Sequence, residues 1–235
     1  MNDRVVVRVQ SLSIQYGKSQ PVREVEFECS DGEFVVLVGK SGSGKSSFLN
    51  ALAGFIPYEG RIDVTGRLGY VFQSNALFPW MTVEGNIGFG LEGVSRGERK
   101  RRVEELLERI EMEGFAGRYP HQLSGGQIQR VALARALAPE PEVLLMDEPY
   151  AALDYHSRER MQSWLLSIWK DSRKTVIFVT HLLEEAIFLA DRILVLRDGQ
   201  FKADIQVRFA RPRSEDLRLS EQFLDVKKEI LDHLG

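Results

Sequence analysis

The chain has 235 residues, of which 43% are hydrophobic and 28% charged, and its formal net charge at pH 7 is −3. This length is sufficient for a substantial core, and the slightly acidic balance argues against a polyanion-binding surface, so we expect no nucleic acid partner. The lone cysteine, Cys29, excludes an internal disulfide, and we expect neither a hydrophobic leader nor a membrane span, because no apolar run approaches roughly 20 residues.

The first third of the sequence has the alternating pattern of β-strands. Apolar and polar residues alternate over residues 5–14 and again over 22–28. Two further short strands are predicted over 60–66 and 68–72. This region is therefore expected to be strand-rich, with one loop and one helix set into it.

The loop and helix belong to the motif that organises the chain, Gly39-Lys40-Ser41-Gly42-Ser43-Gly44-Lys45-Ser46. It matches G-x-x-x-x-G-K-[ST] at every fixed position, follows the apolar strand 34–38 and precedes apolar residues at helical spacing. Such a loop presents backbone N–H groups and a helix N-terminus to an anion. We therefore predict nucleoside triphosphate binding, in which Lys45 reaches the terminal phosphates and Ser46 ligates Mg²⁺. A chance glycine-rich turn is the alternative.

Beyond residue 80 the pattern changes to that of amphipathic helices, and then to alternating strands and helices. Helices are predicted over 99–112, 127–138, 158–169 and 182–190, and strands over 143–146, 175–179 and 192–196. Strands that alternate with helices indicate right-handed crossovers and a largely parallel sheet.

The end of the sequence is interpreted as a linker followed by one amphipathic helix. The arginines of the linker, Arg208, Arg211 and Arg213, are expected to be solvated. The last helix has Ser220 as its cap, and its apolar face is predicted to carry Phe223, Val226, Ile230 and Leu231.

Two carboxylates, Asp147 and Glu148, directly follow the apolar strand over 143–146. Ligands of open parallel sheets bind at the carboxyl ends of the strands, so both acids should face the phosphates. Asp147, at the strand end, suits a Mg²⁺ ligand, and Glu148 suits a group that orients or deprotonates the attacking water. Two solvated loop acids are the alternative.

The segment Leu123-Ser124-Gly125-Gly126-Gln127 has the S-x-x-Q spacing of a capping box, so a helix should begin here. Two glycines in its first turn leave backbone donors unshielded, which favours a second phosphate-binding helix end. One nucleotide hardly needs two such ends from one chain. We therefore infer that this end serves the nucleotide of another subunit; an ordinary capped helix is the alternative.

Together these motifs resemble those of ATP-binding cassette (ABC) proteins, in the same order. The resemblance covers Walker A at Gly39–Ser46, the Q-loop at Gln73, the signature at Leu123–Gln127, Walker B at 143–148, the D-loop at 152–154 and the switch histidine at His181. It implies an α/β P-loop NTPase fold with a mostly parallel core sheet, an antiparallel β subdomain and an inserted α-helical subdomain. It also implies one ATPase domain over 1–235, with core and β subdomain at 1–81 and 139–205, the helical signature subdomain at 82–138, and a C-terminal linker and helix at 206–235.

The resemblance also implies roles for individual residues. Gln73 would reach Mg²⁺ and the reacting water, His181 would bond the γ-phosphate, and Tyr16 would stack on adenine, although a strand-end tyrosine also fits simple packing. The implied catalytic set is Lys45, Gln73, Glu148 and His181, and the implied Mg²⁺ ligands are Ser46, Gln73 and Asp147. In a homodimer, ATP would lie between Gly39–Ser47 of one subunit and Ser124–Gln127 of the other. Asp154, in the D-loop, would contact the partner subunit. Two departures, Leu182 where aspartate is frequent and Ala151-Ala152 where serine is common, remove no group that the chemistry needs.

Residues 76–83 and 180–191 look most like those of nitrate, sulfonate and taurine importers. The apolar residues within 73–81, beside the γ-phosphate sensor, are interpreted as the docking site of a membrane permease; alternatively, Phe78 and Trp80 pack between sheet and helical subdomain. The prediction is an ATP-hydrolysing importer subunit for small anions, peripheral on the cytoplasmic face of the inner membrane, with a separate substrate-binding protein. A soluble ABC-type ATPase in DNA repair, translation or cofactor assembly is the alternative.

Overall fold

Nine strands in two β-sheets organise the computed structural model, which describes residues 4–74, 76–91, 93–172 and 174–235. The strands are β1 Val5–Tyr16, β2 Ser19–Ser30, β3 Phe34–Val38, β4 Glu59–Val64, β5 Leu68–Val71, β6 Val143–Asp147, β7 Thr175–Thr180, β8 Arg192–Arg197 and β9 Gln200–Gln206. Three of them form an antiparallel sheet in the order β2-β1-β4, and six form a sheet in the order β5-β6-β7-β3-β8-β9. All neighbours in the larger sheet are parallel except β8 and β9, so the predicted largely parallel core is confirmed.

The helices are α1 Lys45–Leu52, α2 Val83–Gly88, α3 Arg96–Arg109, α4 Gly125–Leu137, α5 Tyr155–Ser172, α6 Leu183–Leu189 and α7 Glu221–Leu234. The short helix α2 was not predicted from periodicity; it is capped by Thr82, whose Oγ1 accepts from the N–H of Gly85 at 3.2 Å. The predicted apolar stripe of α3 is confirmed, because Val103 and Leu107 are buried against the core. Helices α2 to α4 all lie between β5 and β6 in the sequence.

Both faces of the six-stranded sheet are covered, which explains why its central strands are continuously apolar. Every residue of β3, β6 and β7 is buried. Along β3, Phe34, Val36 and Val38 face the cluster that includes the helical subdomain, whereas Val35 and Leu37 face α1 and the antiparallel sheet. Within the described part of the chain, no helix has both the length and the apolar character needed to cross a bilayer.

The prediction that the linker arginines are solvated is wrong for two of the three. The side chain of Arg213 is fully buried and donates to the carbonyl oxygens of Ile187, Phe188 and Ala190 at 2.6–3.1 Å. Arg211 donates to Asp191 at 2.7 Å. The last carbonyl groups of α6 lack helical partners, and the guanidinium groups satisfy them. The segment is thus packed against α6.

The C-terminal helix begins where the sequence predicts. The Oγ of Ser220 accepts from the N–H of Phe223 at 3.2 Å, and Phe223 and Ile230 are buried. Leu231, which was expected on the apolar face, is exposed instead, because the helix presents only a narrow stripe to the core.

Candidate nucleotide-binding site

The predicted phosphate-binding residues follow neighbouring strands at one edge of the large sheet. Val38 pairs with Thr180, Asp147 with Val179, and Val71 with Met146. The residues that come directly after these strands are therefore level with one another. The glycine loop from Gly39, His181 and Glu148 come directly after their strands. Gln73 lies two residues beyond β5 and is exposed.

The backbone of the glycine loop explains its sequence. Gly44 precedes α1 with φ of 104°, and a Cβ there would lie 2.3 Å from the carbonyl oxygen of Pro21. No side chain caps α1, so its first N–H groups are directed at the space above the loop. The loop and helix end together form a concave set of donors suited to phosphate.

Lys45 is buried within this loop, and its ammonium group is held by the loop itself. Its Nζ donates to the carbonyl oxygens of Gly39 at 2.9 Å and Lys40 at 3.0 Å, and lies 3.9 Å from Oε1 of Glu148. Burial lowers the pKa of Lys45, while the charges of Glu148 and Asp147 oppose that change. The geometry provides a positive charge at the mouth of the loop.

Ser46 and Asp147 form the pair predicted to hold Mg²⁺. The Oγ of Ser46 donates to Oδ1 of Asp147 at 2.9 Å, although the two residues lie on α1 and β6. Burial raises the pKa of Asp147, the charge of Glu148 adds to the effect, and the hydrogen bond from Ser46 opposes it. The two oxygens thus lie together at the sheet edge, beside the charge of Lys45.

Glu148 is held in an unusual backbone conformation. Its φ is +41°, and its N–H donates to the carbonyl oxygen of Val179 at 3.0 Å. A non-glycine residue in this region is strained, and such strain concentrates at functional positions. The bend turns the carboxylate toward His181, whose Nδ1 lies 2.9 Å from Oε2 of Glu148.

The donor set fits a magnesium nucleotide. The Oγ of Ser43 is buried and finds no hydrogen-bond partner among the described residues, as expected of a donor reserved for a ligand. The described residues contain no cluster of three or more His, Cys, Asp or Glu side chains that could hold a metal alone. Ser46 and Asp147 instead bring together two hard oxygen atoms, the kind of ligand that suits Mg²⁺ when phosphates and water complete its shell.

The signature segment forms the predicted capping box. The N–H of Gln127 donates to Oγ of Ser124 at 3.4 Å, and Oε1 of Gln127 accepts from the N–H of Ser124 at 2.9 Å. Ser124 and Gly125 are exposed, and α4 begins directly at Gly125. The end of α4 therefore faces outward and not into the core of its own subunit.

This helix end lies in a cleft of about 540 Å³ that it shares with the D-loop residue Asp154. Among the described residues that line this cleft, none belongs to the glycine loop of the same chain. The glycine loop lines a different cleft of about 360 Å³, with residues 19–23 and 196–199. The structure thus brings Lys45, Ser46, Asp147, Glu148 and His181 together, and leaves Ser124–Gln127 apart from them.

Tyr16 lies at the end of β1 and is 48% exposed. It opens the hairpin whose next strand, from Ser19, contributes to the cleft beside the glycine loop. Its ring is therefore accessible, on a hairpin whose second strand borders the cleft of the glycine loop.

The proposed docking segment over 73–81 exposes Trp80, whereas Phe78 is partly buried. Trp80 is 70% exposed, so it does not pack between sheet and helical subdomain, and its ring lies 5.5 Å from that of Phe78. Phe78 in turn contacts the half-exposed Phe89, with ring centroids 4.5 Å apart. Asn75 of this segment and residues 1–3 of the β subdomain lie outside the described residues.

Two residues that sequence reasoning missed hold this segment in place. Asn86, fully buried on α2, accepts from the N–H of Phe78 at 2.8 Å and donates to the carbonyl oxygens of Phe78, Met81 and Thr82. Arg135, on α4, donates to the carbonyl oxygen of Ala76 at 2.7 Å. A polar residue within an apolar helix face is the only sequence signal for either one.

The comparison with protein families matches residues 22–151 to the model described as ABC transporter. The taurine import ATP-binding protein TauB of Rhizobium johnstonii is 43% identical over 235 residues, which cover 92% of this chain and 90% of that protein. The sulfate/thiosulfate import ATP-binding protein CysA of Thermosynechococcus vestitus is 47% identical over 208 residues, 83% of this chain and 62% of that protein.

Two solved structures of the cassette MJ0796 resemble the fold. The chain is similar to its dimeric structure with a TM-score of 0.76 and 32% identity, and to its dimeric post-hydrolysis state bound to ADP and Pi with a TM-score of 0.75 and 33% identity. Both matches cover 87% of this chain and 100% of the solved chain. The expected α/β P-loop fold is confirmed.

Proposed function

The chain belongs to the ABC transporter family of ATP-binding proteins, and from this premise we propose how its residues divide the work of ATP hydrolysis. It is an ATP-hydrolysing subunit of an ABC importer and functions as a dimer of cassettes. In our proposal Lys45 binds the terminal phosphates, Glu148 orients or deprotonates the attacking water, and His181 and Gln73 contact the γ-phosphate side. The single observation that supports this assignment best is the 2.9 Å contact between Glu148 and His181, beside the buried ammonium group of Lys45.

Mg²⁺ would be held by Ser46, Asp147 and Gln73. When bound, it would neutralise charge on the phosphates and help to position them. The contact between Ser46 and Asp147 at 2.9 Å supports this proposal, because it places two hard oxygen ligands beside the loop. Glu148 would not ligate Mg²⁺ in this proposal, so its carboxylate could accept a proton from water.

We assign the second half of the ATP site to Ser124–Gln127 of the partner. The outward-facing helix end, in a cleft separate from the glycine loop of its own chain, supports this assignment. The proposed subdomain boundaries are 1–81 and 139–205 for the core, 82–138 for the helical subdomain and 206–235 for the C-terminal segment. Tyr16 would stack on the adenine.

The importer subunit implies a membrane permease, and we propose that the permease docks at the aromatic patch formed by Phe78, Trp80 and Phe89. The patch is exposed and is held by Asn86 on a short, well-bonded segment that begins near Gln73. A helix of the permease could lay an apolar face on it. Movement of Gln73 on loss of the γ-phosphate would then be passed to the patch.

The substrate class that we propose is a small sulfonate, sulfate or nitrate-like anion. The relatives named as taurine and sulfate/thiosulfate import proteins support this choice. Selection of the anion would reside in the permease and in a separate substrate-binding protein, and this subunit would sit peripherally on the cytoplasmic face of the inner membrane.

Purification of the tagged full-length chain from detergent-solubilised membranes tests the assembly. Recovery with integral-membrane chains, and ATPase activity that rises when the assembly is supplied with a sulfonate and its binding protein, would support the proposal. Recovery with ribosomes or DNA and no membrane chain would contradict it in favour of a soluble ATPase.

A further inference from the structure

The C-terminal segment holds α6, the helix that follows His181, at both of its ends. Arg211 and Arg213 bind the carbonyl groups at the end of α6. Nη1 of Arg218 donates to the carbonyl oxygen of Glu184, near the beginning of α6, at 3.4 Å, and the guanidinium group covers the ring of Phe188, one turn further along, at 4.0 Å. The segment is therefore attached to the helix whose first residues adjoin the catalytic edge.

From Arg218 two consecutive hydrogen bonds lead to Glu185 in the first turn of α6, the helix that follows His181. Nη2 of Arg218 donates to Oε1 of Gln162 at 2.5 Å, and Nε2 of Gln162 donates to Oε1 of Glu185 at 2.9 Å. In the turn before α6, Oγ1 of Thr180 accepts from the N–H of Leu182 at 3.1 Å. Gln162, Glu185 and Thr180 are all buried, so water does not compete for these bonds.

The beginning of α6 has no side-chain cap. Leu182 occupies the N-cap position of α6 and has no side-chain oxygen to bind the first N–H groups. Thr180 holds this turn through the N–H of Leu182. Glu185, in the first turn of α6, accepts from Gln162, and a buried carboxylate keeps its place only while its partners satisfy it. Gln162 also lies on α5, the helix that follows the D-loop, where Arg158 donates to the carbonyl oxygen of Leu153 at 2.9 Å.

We propose that Arg218 is a positioning residue for ATP hydrolysis, which acts through Gln162 and Glu185 on the first turn of α6 and so holds His181 against Glu148. The inference rests on the proposed role of His181. Arg218 itself would touch neither nucleotide nor water. Loss of its guanidinium group would leave ATP binding intact and let the turn at 180–182 move away from Glu148.

The test uses steady-state ATPase measurements on the full-length protein with Arg218→Gln and Arg218→Lys. We expect Arg218→Gln to lower kcat roughly tenfold or more while KM for ATP changes less than about twofold, because a misplaced catalytic group slows chemistry more than binding. Arg218→Lys should restore much of kcat, since its ammonium group can still donate to Gln162. Lys227→Gln is the matched control. Lys227 also joins the C-terminal segment to α6, through Glu184, but takes no part in the hydrogen bonds from Arg218 to Glu185.

A double variant separates positioning from general destabilisation. If these two hydrogen bonds transmit the effect, Arg218→Gln combined with Gln162→Leu should be no slower than the slower single variant, because both break the same connection. Multiplied losses, an unchanged kcat in Arg218→Gln, or an equal loss in Lys227→Gln would overturn the inference. If His181→Ala were as active as the wild-type protein, the proposed function of the site would fail first.

Discussion

Nδ1 of His181 lies 2.9 Å from Oε2 of Glu148, although the two residues are 33 positions apart and follow the neighbouring strands β7 and β6. The other carboxylate oxygen of Glu148 lies 3.9 Å from the ammonium group of Lys45. One carboxylate is thus shared between an imidazole and a buried cation at the end of the sheet. Binding of a terminal phosphate between these groups would exchange part of this network for contacts with the ligand.

Glu148→Gln should abolish turnover but preserve ATP binding. The amide keeps the shape of the side chain and cannot accept a proton, so we expect kcat to fall at least about 100-fold. Size-exclusion chromatography with ATP should show a stable dimer of this variant. Glu104→Gln, an exposed change on α3, is the control, and rapid hydrolysis by Glu148→Gln would remove Glu148 from its assigned role.

Lys45→Ala should remove both tight ATP binding and turnover. The substitution deletes the only charge that the loop carries at its buried mouth, and leaves the carbonyl groups of Gly39 and Lys40 without their donor. Fluorescent nucleotide titration and ATPase assays measure the two losses. Lys228→Ala, on the exposed face of α7, should change neither, and wild-type rates in Lys45→Ala would contradict the phosphate assignment.

Two glycines of the same loop should respond differently to alanine. At Gly44 a Cβ would lie 2.3 Å from the carbonyl oxygen of Pro21, whereas at Gly42 no described atom lies within 4 Å. Both have positive φ, so Gly42→Ala should cost about 1 kcal/mol of unfolding free energy, from backbone strain alone. Gly44→Ala should cost clearly more in urea denaturation; equal losses would mean that the loop relaxes around the added methyl group.

Trp80→Ala should weaken assembly with the permease without slowing the isolated subunit. Its side chain is 70% exposed and contacts the ring of Phe78, so little core packing is lost. Co-purification of membrane chains should fall severalfold, as is typical when an aromatic anchor residue of an interface is truncated to alanine. Leu219→Ala, an exposed apolar residue outside the patch, is the control, and unchanged recovery of membrane chains would move the docking site elsewhere.

Glu185 should make the stability of the protein depend on pH. Burial raises the pKa of Glu185, although hydrogen bonds from Thr180 and Gln162 and the charges of Arg158 and His181 act in the opposite direction. The folded chain therefore binds this proton more tightly than the unfolded chain, and its contribution to stability is lost as the pH rises through the raised pKa.

Glu185→Gln lacks this titration. The free energy of unfolding of the variant, minus that of the wild-type protein, should therefore become more positive between about pH 4.5 and pH 7, because only the wild-type protein loses stability over this range. Urea denaturation at the two pH values measures the difference. A difference of the opposite sign would mean that the hydrogen bonds to the carboxylate outweigh its desolvation.

Much of the architecture and of the phosphate machinery could be predicted from local patterns. The continuous apolar strand β3 predicted a sheet that is buried on both faces, and the glycine loop predicted the beginning of a helix. The structure has both features. Asp147 and Glu148 could be placed because strand ends in a parallel sheet share an edge. These features depend on neighbours in sequence or on one general rule of topology.

The residues that were missed depend on contacts between distant segments. Arg213 reads as a surface charge beside a proline, and only the packing of its segment on α6 shows why it is buried. Gln162 and Glu185 lie on two helices, and periodicity assigns each to a face without showing that they meet. The positive φ of Glu148 is likewise imposed by tertiary contacts, since glutamate has no preference for it.

The outward orientation of Ser124 has a consequence for how nucleotide affinity should be measured. In the proposed arrangement, half of the binding cage lies on each copy. Ligand capture and self-association would then be linked by mass action, so dilution of the protein should weaken its apparent affinity for ATP. Two copies held side by side on one permease would experience a high effective concentration of each other. The membrane assembly would then saturate at nucleotide levels that leave the dilute, isolated subunit largely empty.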